Sequence, residues 1–143
     1  MHAEVIRGIT IRPLRNGEAE VVQAVFDRLS ARSRLLRFHG AKNVLTRGDL
    51  EALSRVDDTH HVLVALVDGE PVGIARLVRD GSAAEVAFAV ADEWQGRGIG
   101  TLLVERLAAD ARAAGITRFH GDVRADNIPS LKLMRRLKLQ TAS

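Results

Sequence analysis

The 143-residue chain has no cysteine and no tyrosine. Without thiols there are no disulfides, no thiolate metal sites and no cysteine nucleophile. Aromatic residues make up 3 %, four Phe and one Trp, which leaves little for stacking on nucleic-acid bases. No run of 18 apolar residues occurs, so no membrane-spanning helix is expected. The opening Met1-His2-Ala3-Glu4 lacks the apolar core of a signal peptide, and a cytoplasmic location is the expectation.

What is present has the balance of a globular protein. Hydrophobic residues are 46 % and charged residues 27 %, which argues against disorder. The length suits a single domain, residues 1–143. At this size folding buries roughly 68–70 % of the unfolded surface, so neither metal nor disulfide is required. There are 21 Lys and Arg against 18 Asp and Glu, a net charge of +3. Only Lys42, Lys132 and Lys138 are lysines; the rest are Arg, which lifts the isoelectric point with little net field. The run Arg28, Arg32, Arg34, Arg37, Lys42, Arg47 holds no acid between its ends. It reads as a solvated helix face, with a docking surface for an acidic partner as the alternative. No nucleic-acid motif accompanies it, which argues against nucleic acid as a partner.

Periodicity divides the chain into elements. Gly8–Leu14 reads as an edge strand, Gly17–Leu29 as a helix, and Ala31–Phe38 and Arg47–Val56 as short helices capped by Ser30 and Thr46. His61–Asp68 is a continuous apolar run suited to a strand buried on both faces. Asp68-Gly69 is a hairpin turn leading to Pro71–Arg79, and Asp80-Gly81 leads to Ala84–Ala91. Gly98–Ala114 is a long helix stopped by Gly115, followed by a strand over Thr117–Val123 and a helix over Asn127–Leu137. The expected fold class is α/β of the α+β type: a mixed, mostly antiparallel sheet with helices on both faces.

The most informative segment is Glu93-Trp94-Gln95-Gly96-Arg97-Gly98-Ile99-Gly100-Thr101, between a strand and a long helix. Glycines at i and i+2 let a backbone approach a ligand, and a helix N-terminus attracts negative charge. The pattern suits a pyrophosphate. It is not a dinucleotide fingerprint, because position 103 is Leu and the preceding strands form hairpins. Taken alone, the glycines are equally compatible with a plain helix-capping turn.

The whole stretch Ala84–Leu107, with Gln95-x-x-Gly98-x-Gly100 at its centre, resembles the acetyl-CoA motif of the GNAT acetyltransferases. Asn127, Ser130 and Leu133 stand at the spacing of that family's second segment, and Ile11–Phe38 resembles the catalytic domains of bacterial protein-lysine acetyltransferases. The resemblance implies transfer of an acetyl group from acetyl-CoA to an amine, with a protein lysine or a small amine as acceptor. It implies that backbone N–H groups from Gln95, Gly96, Arg97, Gly98, Ile99, Gly100 and Thr101 hold the pyrophosphate. Phe88, Ala89 and Val90 would pair with the pantetheine arm, and a strand N–H, that of Val90, would polarise the thioester carbonyl. Asn127 and Ser130 would bind the pantetheine amide. Arg97 would add charge near the phosphates or stay solvated.

Free lysine has a pKa near 10.4, so an amine acceptor benefits from a base. On a strand, Glu85, Ala87, Ala89 and Ala91 share a face, which places one carboxylate on a surface cleared of bulk. Glu85 is the expected general base, acting directly or through water, with an ordinary exposed or ion-paired Glu as the bland alternative. The tyrosine that many GNAT enzymes place one residue after the position of Leu133 is Met134 here. Solvent would protonate the departing thiolate, or the chain is a non-catalytic CoA-binding module or sensor. Without cysteine, transfer would be direct, with no cysteine acyl-enzyme.

His60 and His61 should point to opposite faces of a strand, a poor chelating pair; His120 reads as structural, with a place in the active cleft as the alternative. No metal site is expected. Members of the resembling family continue into two further strands, whereas Leu137 is followed by six residues. That leaves the Thr117–Val123 edge open, and a second copy covering it in a homodimer is the expectation.

Overall fold

A computed structural model describes residues 8–29, 44–121 and 128–141. The elements run β1 (Ile9–Pro13), α1 (Ala19–Asp27), α2 (Arg47–Leu53), β2 (His60–Val67), β3 (Glu70–Asp80), β4 (Ala83–Val90), α3 (Ile99–Ala113), β5 (Arg118–His120) and α4 (Ile128–Thr141). A 3-10 turn, Asp92–Trp94, separates β4 from α3. The five strands form one sheet in chain order. Every pairing up to β4 is antiparallel; β4 and β5 are parallel.

Local chemistry explains the boundaries. Asp68 and Gly69 have φ of 50° and 84°, the pair of positive values that a tight two-residue hairpin demands. Thr46 caps α2 in a capping box with Asp49. At the far end of α3 the Gly115 N–H donates to the Arg112 carbonyl and the Ile116 N–H to that of Ala111, a Schellman stop with Gly115 at φ 76°. The expected Ala31–Phe38 helix, with its Ser30 cap, lies outside the described residues, as do Arg32, Arg34, Arg37 and Lys42.

The sheet separates two cores. On one face Leu63, Ala65, Ala75, Leu77, Val86 and Phe88 pack against α3 and α4. On the other, Val62 and Val64 meet Leu14, Val21, Val22, Phe26 and Leu45. The strand alternation anticipated for β2 therefore carries apolar residues to both sides. His60 and His61 fall on opposite faces: His60 contacts Asp57, while His61 Nε2 lies 2.8 Å from Asp110 of α3. Arg12 of β1 pairs with Glu18 at 2.8 Å, and the Arg15 N–H donates to the same carboxylate. These bonds hold the Glu18 pKa down to about 2 and pin the entry to α1.

Candidate active site

The site begins with a limit on strand pairing. Among the described residues β5 pairs with β4 at Ala83–Arg118, Ala84–Phe119 and Glu85–His120. Beyond Glu85, the outer edge of β4 has no neighbouring strand among the described residues. The remaining edge, Val86–Val90, offers backbone N–H and C=O groups to an extended guest.

That edge forms one wall of a cleft of about 720 Å³. Phe88, Ala89 and Val90 line it from β4; Trp94, Gln95, Gly96, Gly98, Gly100 and Thr101 line it from the connecting loop and the start of α3. Ser130 and Leu133 of α4 close the far side. Gly98 caps α3 with φ 89°, and Gly96 has φ 75°, so both sit where a β-carbon is strained. The first N–H groups of α3 have no partner within the helix and face the same end of the cleft as the positive end of its dipole. A pyrophosphate fits this environment.

Several expected roles change on inspection. Gly100 has no positive φ; a β-carbon there would lie 3.0 Å from Leu133 Cδ1 and Cδ2, so its glycine serves the approach of α4 to α3. The Gln95 backbone N–H is already donated to the Asp92 carbonyl, which takes it out of the expected phosphate cradle. Its side chain donates to the Val90 carbonyl at 3.0 Å and fastens the loop to the end of β4. Arg97 stacks over Trp94, 5.0 Å from the ring centroid, and does not line the cleft. Ile99 is buried in the core, so its side chain takes no part in lining the cleft. Ala91 does not share the open face: β4 ends at Val90, and Ala91 is fully buried, its N–H held by the Val72 carbonyl. Asn127 lies outside the described residues.

Glu85 is exposed on the face of β4 opposite the α3 core, in register with Val78 and His120. It does not line the cleft, whose β4 wall starts three residues later at Phe88, about 10 Å along the strand. Met134 is 7 % exposed and belongs to the core, so the position offers no proton donor to the cleft. His120 is exposed and lies outside the cleft lining. Among the described residues no group of His, Asp or Glu is suited to a metal ion, and no helix is long and apolar enough to cross a membrane.

Two features of the structure add to the sequence reading. Lys132, Arg135 and Arg136 give the cleft a basic rim on α4; their i, i+3, i+4 spacing is the readable signal. Arg28, at the end of α1, donates to Glu70 at 3.0 Å and Glu93 at 2.9 Å, so it ties α1 to the β2–β3 turn and to the 3-10 turn. Arg28 is thus a paired residue, not part of a freely solvated face.

A sheet opened beside its fourth strand, with a helix N-terminus at the opening, is the arrangement that comparison with known proteins assigns to a family. The model of the acetyltransferase (GNAT) family matches residues 25–138, and the chain belongs to that family, whose members transfer acetyl groups from acetyl-CoA. It is 35 % identical to acetyltransferase Pat of Mycolicibacterium smegmatis over 133 residues, 89 % of this chain and 40 % of that one. It is 33 % identical over 121 residues to an acetyltransferase of Pseudomonas aeruginosa, covering 80 % of this chain and 65 % of the relative. The chain therefore spans less than two thirds of either relative. Among solved structures, the GNAT domain of S. lividans PAT superposes with a TM-score of 0.81 at 30 % identity, covering 89 % of this chain and 78 % of that domain.

Proposed function

We propose that this chain transfers an acetyl group from acetyl-CoA directly to an amine, with a protein lysine as the acceptor and Glu85 as general base through water. The observation that carries the reading is the opening beside β4: the cleft walled by Phe88–Val90 meets the face that carries Glu85, Ala87 and Ala89. In this reading the pantetheine arm lies along the free β4 edge and the Val90 N–H polarises the thioester carbonyl. Ser130, with Asn127, binds the arm from the α4 side, and N–H groups from Gly96 to Thr101 hold the pyrophosphate. The acceptor amine gives its proton to water held by Glu85. Its nitrogen then attacks the carbonyl carbon, the C–S bond breaks, and solvent protonates the departing thiolate. A thiol of pKa near 8.5 is a tolerable leaving group without an enzymic acid. The lysine acceptor rests on the resemblance of Ile11–Phe38 to the catalytic domains of bacterial protein-lysine acetyltransferases.

The test measures thiol release from acetyl-CoA across lysine peptides, polyamines and aminoglycosides. Glu85→Gln should keep acetyl-CoA binding and lose most of its turnover; unchanged turnover at acid and alkaline pH rejects Glu85 as the base. Met134 favours a second reading, a CoA-binding module without turnover, which predicts acetyl-CoA binding with no thiol release on any amine. We further propose a cytoplasmic location and a homodimer that covers the outer edge of β5. A monomer by light scattering at micromolar concentration would refute the dimer.

A further inference from the structure

On the opposite side of the sheet from α3, a small apolar pocket of about 30 Å³ lies between α1 and the strands. Val22, Phe26, Leu29, Leu53 and Ile74 contribute to its walls, and among the described residues Arg76 is the charged one lining it. Leu29 and Ala89 line both this pocket and the acetyl-CoA cleft, so the two meet at Ala89. Arg76 stands directly opposite Ala87 in the β3–β4 register, and Ile74 opposite Ala89. Opposed residues of an antiparallel pair share a face. Arg76 is therefore about 7 Å of strand, two residues, from the junction.

The guanidinium is poorly satisfied. Among the described residues its Nε is buried with no hydrogen-bond partner, and an Nη donates to the Ala52 carbonyl at 3.4 Å. Desolvation lowers the Arg76 pKa, the Glu85 charge partly offsets this, and Arg55 adds a like charge. An Arg in apolar surroundings with a free donor is costly unless an anion completes it. A planar guanidinium grips an oxyanion through parallel N–H donors, and a carboxylate is the one that amino acids and peptides carry.

We infer that Arg76 is an acceptor-specificity residue: it binds a carboxylate carried close to the acceptor amine and so selects acidic acceptors. The inference rests on the proposed acetyl transfer. The carboxylate comes either from an acidic residue flanking an acceptor lysine or from the free α-carboxylate of a small amino acid. Both present the same group about one side chain away from the amine.

The test compares thiol release with a lysine peptide flanked by Glu, the same peptide with Gln, free lysine and lysine amide. The peptide pair and the lysine pair separate the two sources. In one pair or the other, the acidic member should be preferred in kcat/KM by about 10- to 100-fold, the range of one charge-assisted hydrogen bond. Arg76→Met should abolish that preference, chiefly through KM, while turnover of the neutral member changes little. Arg76→Lys, which keeps the charge without the fork, should retain part of it. If no amine turns over, the transferase reading fails, and the same four compounds are then titrated into the CoA complex by calorimetry, where the preference must still appear. Equal handling of acidic and neutral members by the wild-type protein, or equal losses for both in Arg76→Met, overturns the assignment of Arg76 and leaves the transferase reading standing.

Discussion

Replacing Gly98 by Ala tests whether the loop geometry holds the pyrophosphate. Gly98 caps α3 with φ 89°. An L-residue in the left-handed region costs about 1–2 kcal/mol, because its β-carbon crowds the following carbonyl. In a domain of 143 residues that corresponds to a fall in Tm of roughly 3–8 °C. The variant relieves the strain by turning φ negative, which swings the adjoining peptide groups and re-aims the N–H donors at the start of α3. Losing one charge-assisted hydrogen bond to a phosphate weakens binding by about 10- to 100-fold. The control is Gly115→Ala. Gly115 has φ 76°, has open space where a β-carbon would sit, and terminates the other end of the same helix. Its backbone penalty is similar and its distance from the cleft is the length of α3. Thermal unfolding and calorimetric titration with acetyl-CoA read the two effects separately. Both variants should melt early, and only Gly98→Ala should bind acetyl-CoA poorly. Wild-type affinity in Gly98→Ala, with a Tm loss equal to the control, would refute the assignment of the cradle to this loop.

Met134→Tyr, which restores the residue type found in many GNAT enzymes, should destabilise by about 1–3 kcal/mol through overpacking and leave kcat unchanged, because Met134 packs in the core; a rise in kcat in steady-state assays would show that the position reaches the thiolate. Glu18→Gln removes the partner of Arg12 and should cost about 1 kcal/mol at pH 7 in denaturant unfolding. The native Glu18 pKa, about 2, lies below the ordinary value of 4.5, so its contribution is complete above pH 4.5 and disappears as pH falls through the native value. The gap between variant and wild type should therefore close between pH 4.5 and 2, and a constant gap over that window would refute the linkage.

The order of elements was legible because the signals were local. Asp68-Gly69 demanded a hairpin, Thr46 and Gly115 marked helix ends, and the apolar run of β2 marked a central strand. The glycine-rich loop was legible for the same reason. What the sequence hid were relations between distant segments. Gly100 looks like its neighbours Gly96 and Gly98, yet its missing β-carbon answers to Leu133, a residue on another helix. Gln95 reads as one more backbone donor, but a 3-10 turn takes its N–H and the Val90 carbonyl takes its side chain. Strand alternation carried Ala91 onto the open face because nothing in the pattern shows a strand ending one residue early. A single Arg in a strand, such as Arg76, carries no signal until its neighbours prove apolar.

The short parallel pairing of β4 with β5 is the step from which the rest of the site follows. Had β5 continued beside β4 past Glu85, the Phe88–Val90 edge would be saturated with interstrand hydrogen bonds and could not take a pantetheine arm. The same pairing fixes Glu85 at the closed end, about three residues short of the cleft wall. In the proposed reading Glu85, at least about 10 Å of strand from that wall, acts on the amine through ordered water rather than by contact. That distance gives the Glu85→Gln experiment its discriminating power: a water relay is lost with the carboxylate charge, whereas an exposed bystander can be neutralised without consequence for turnover.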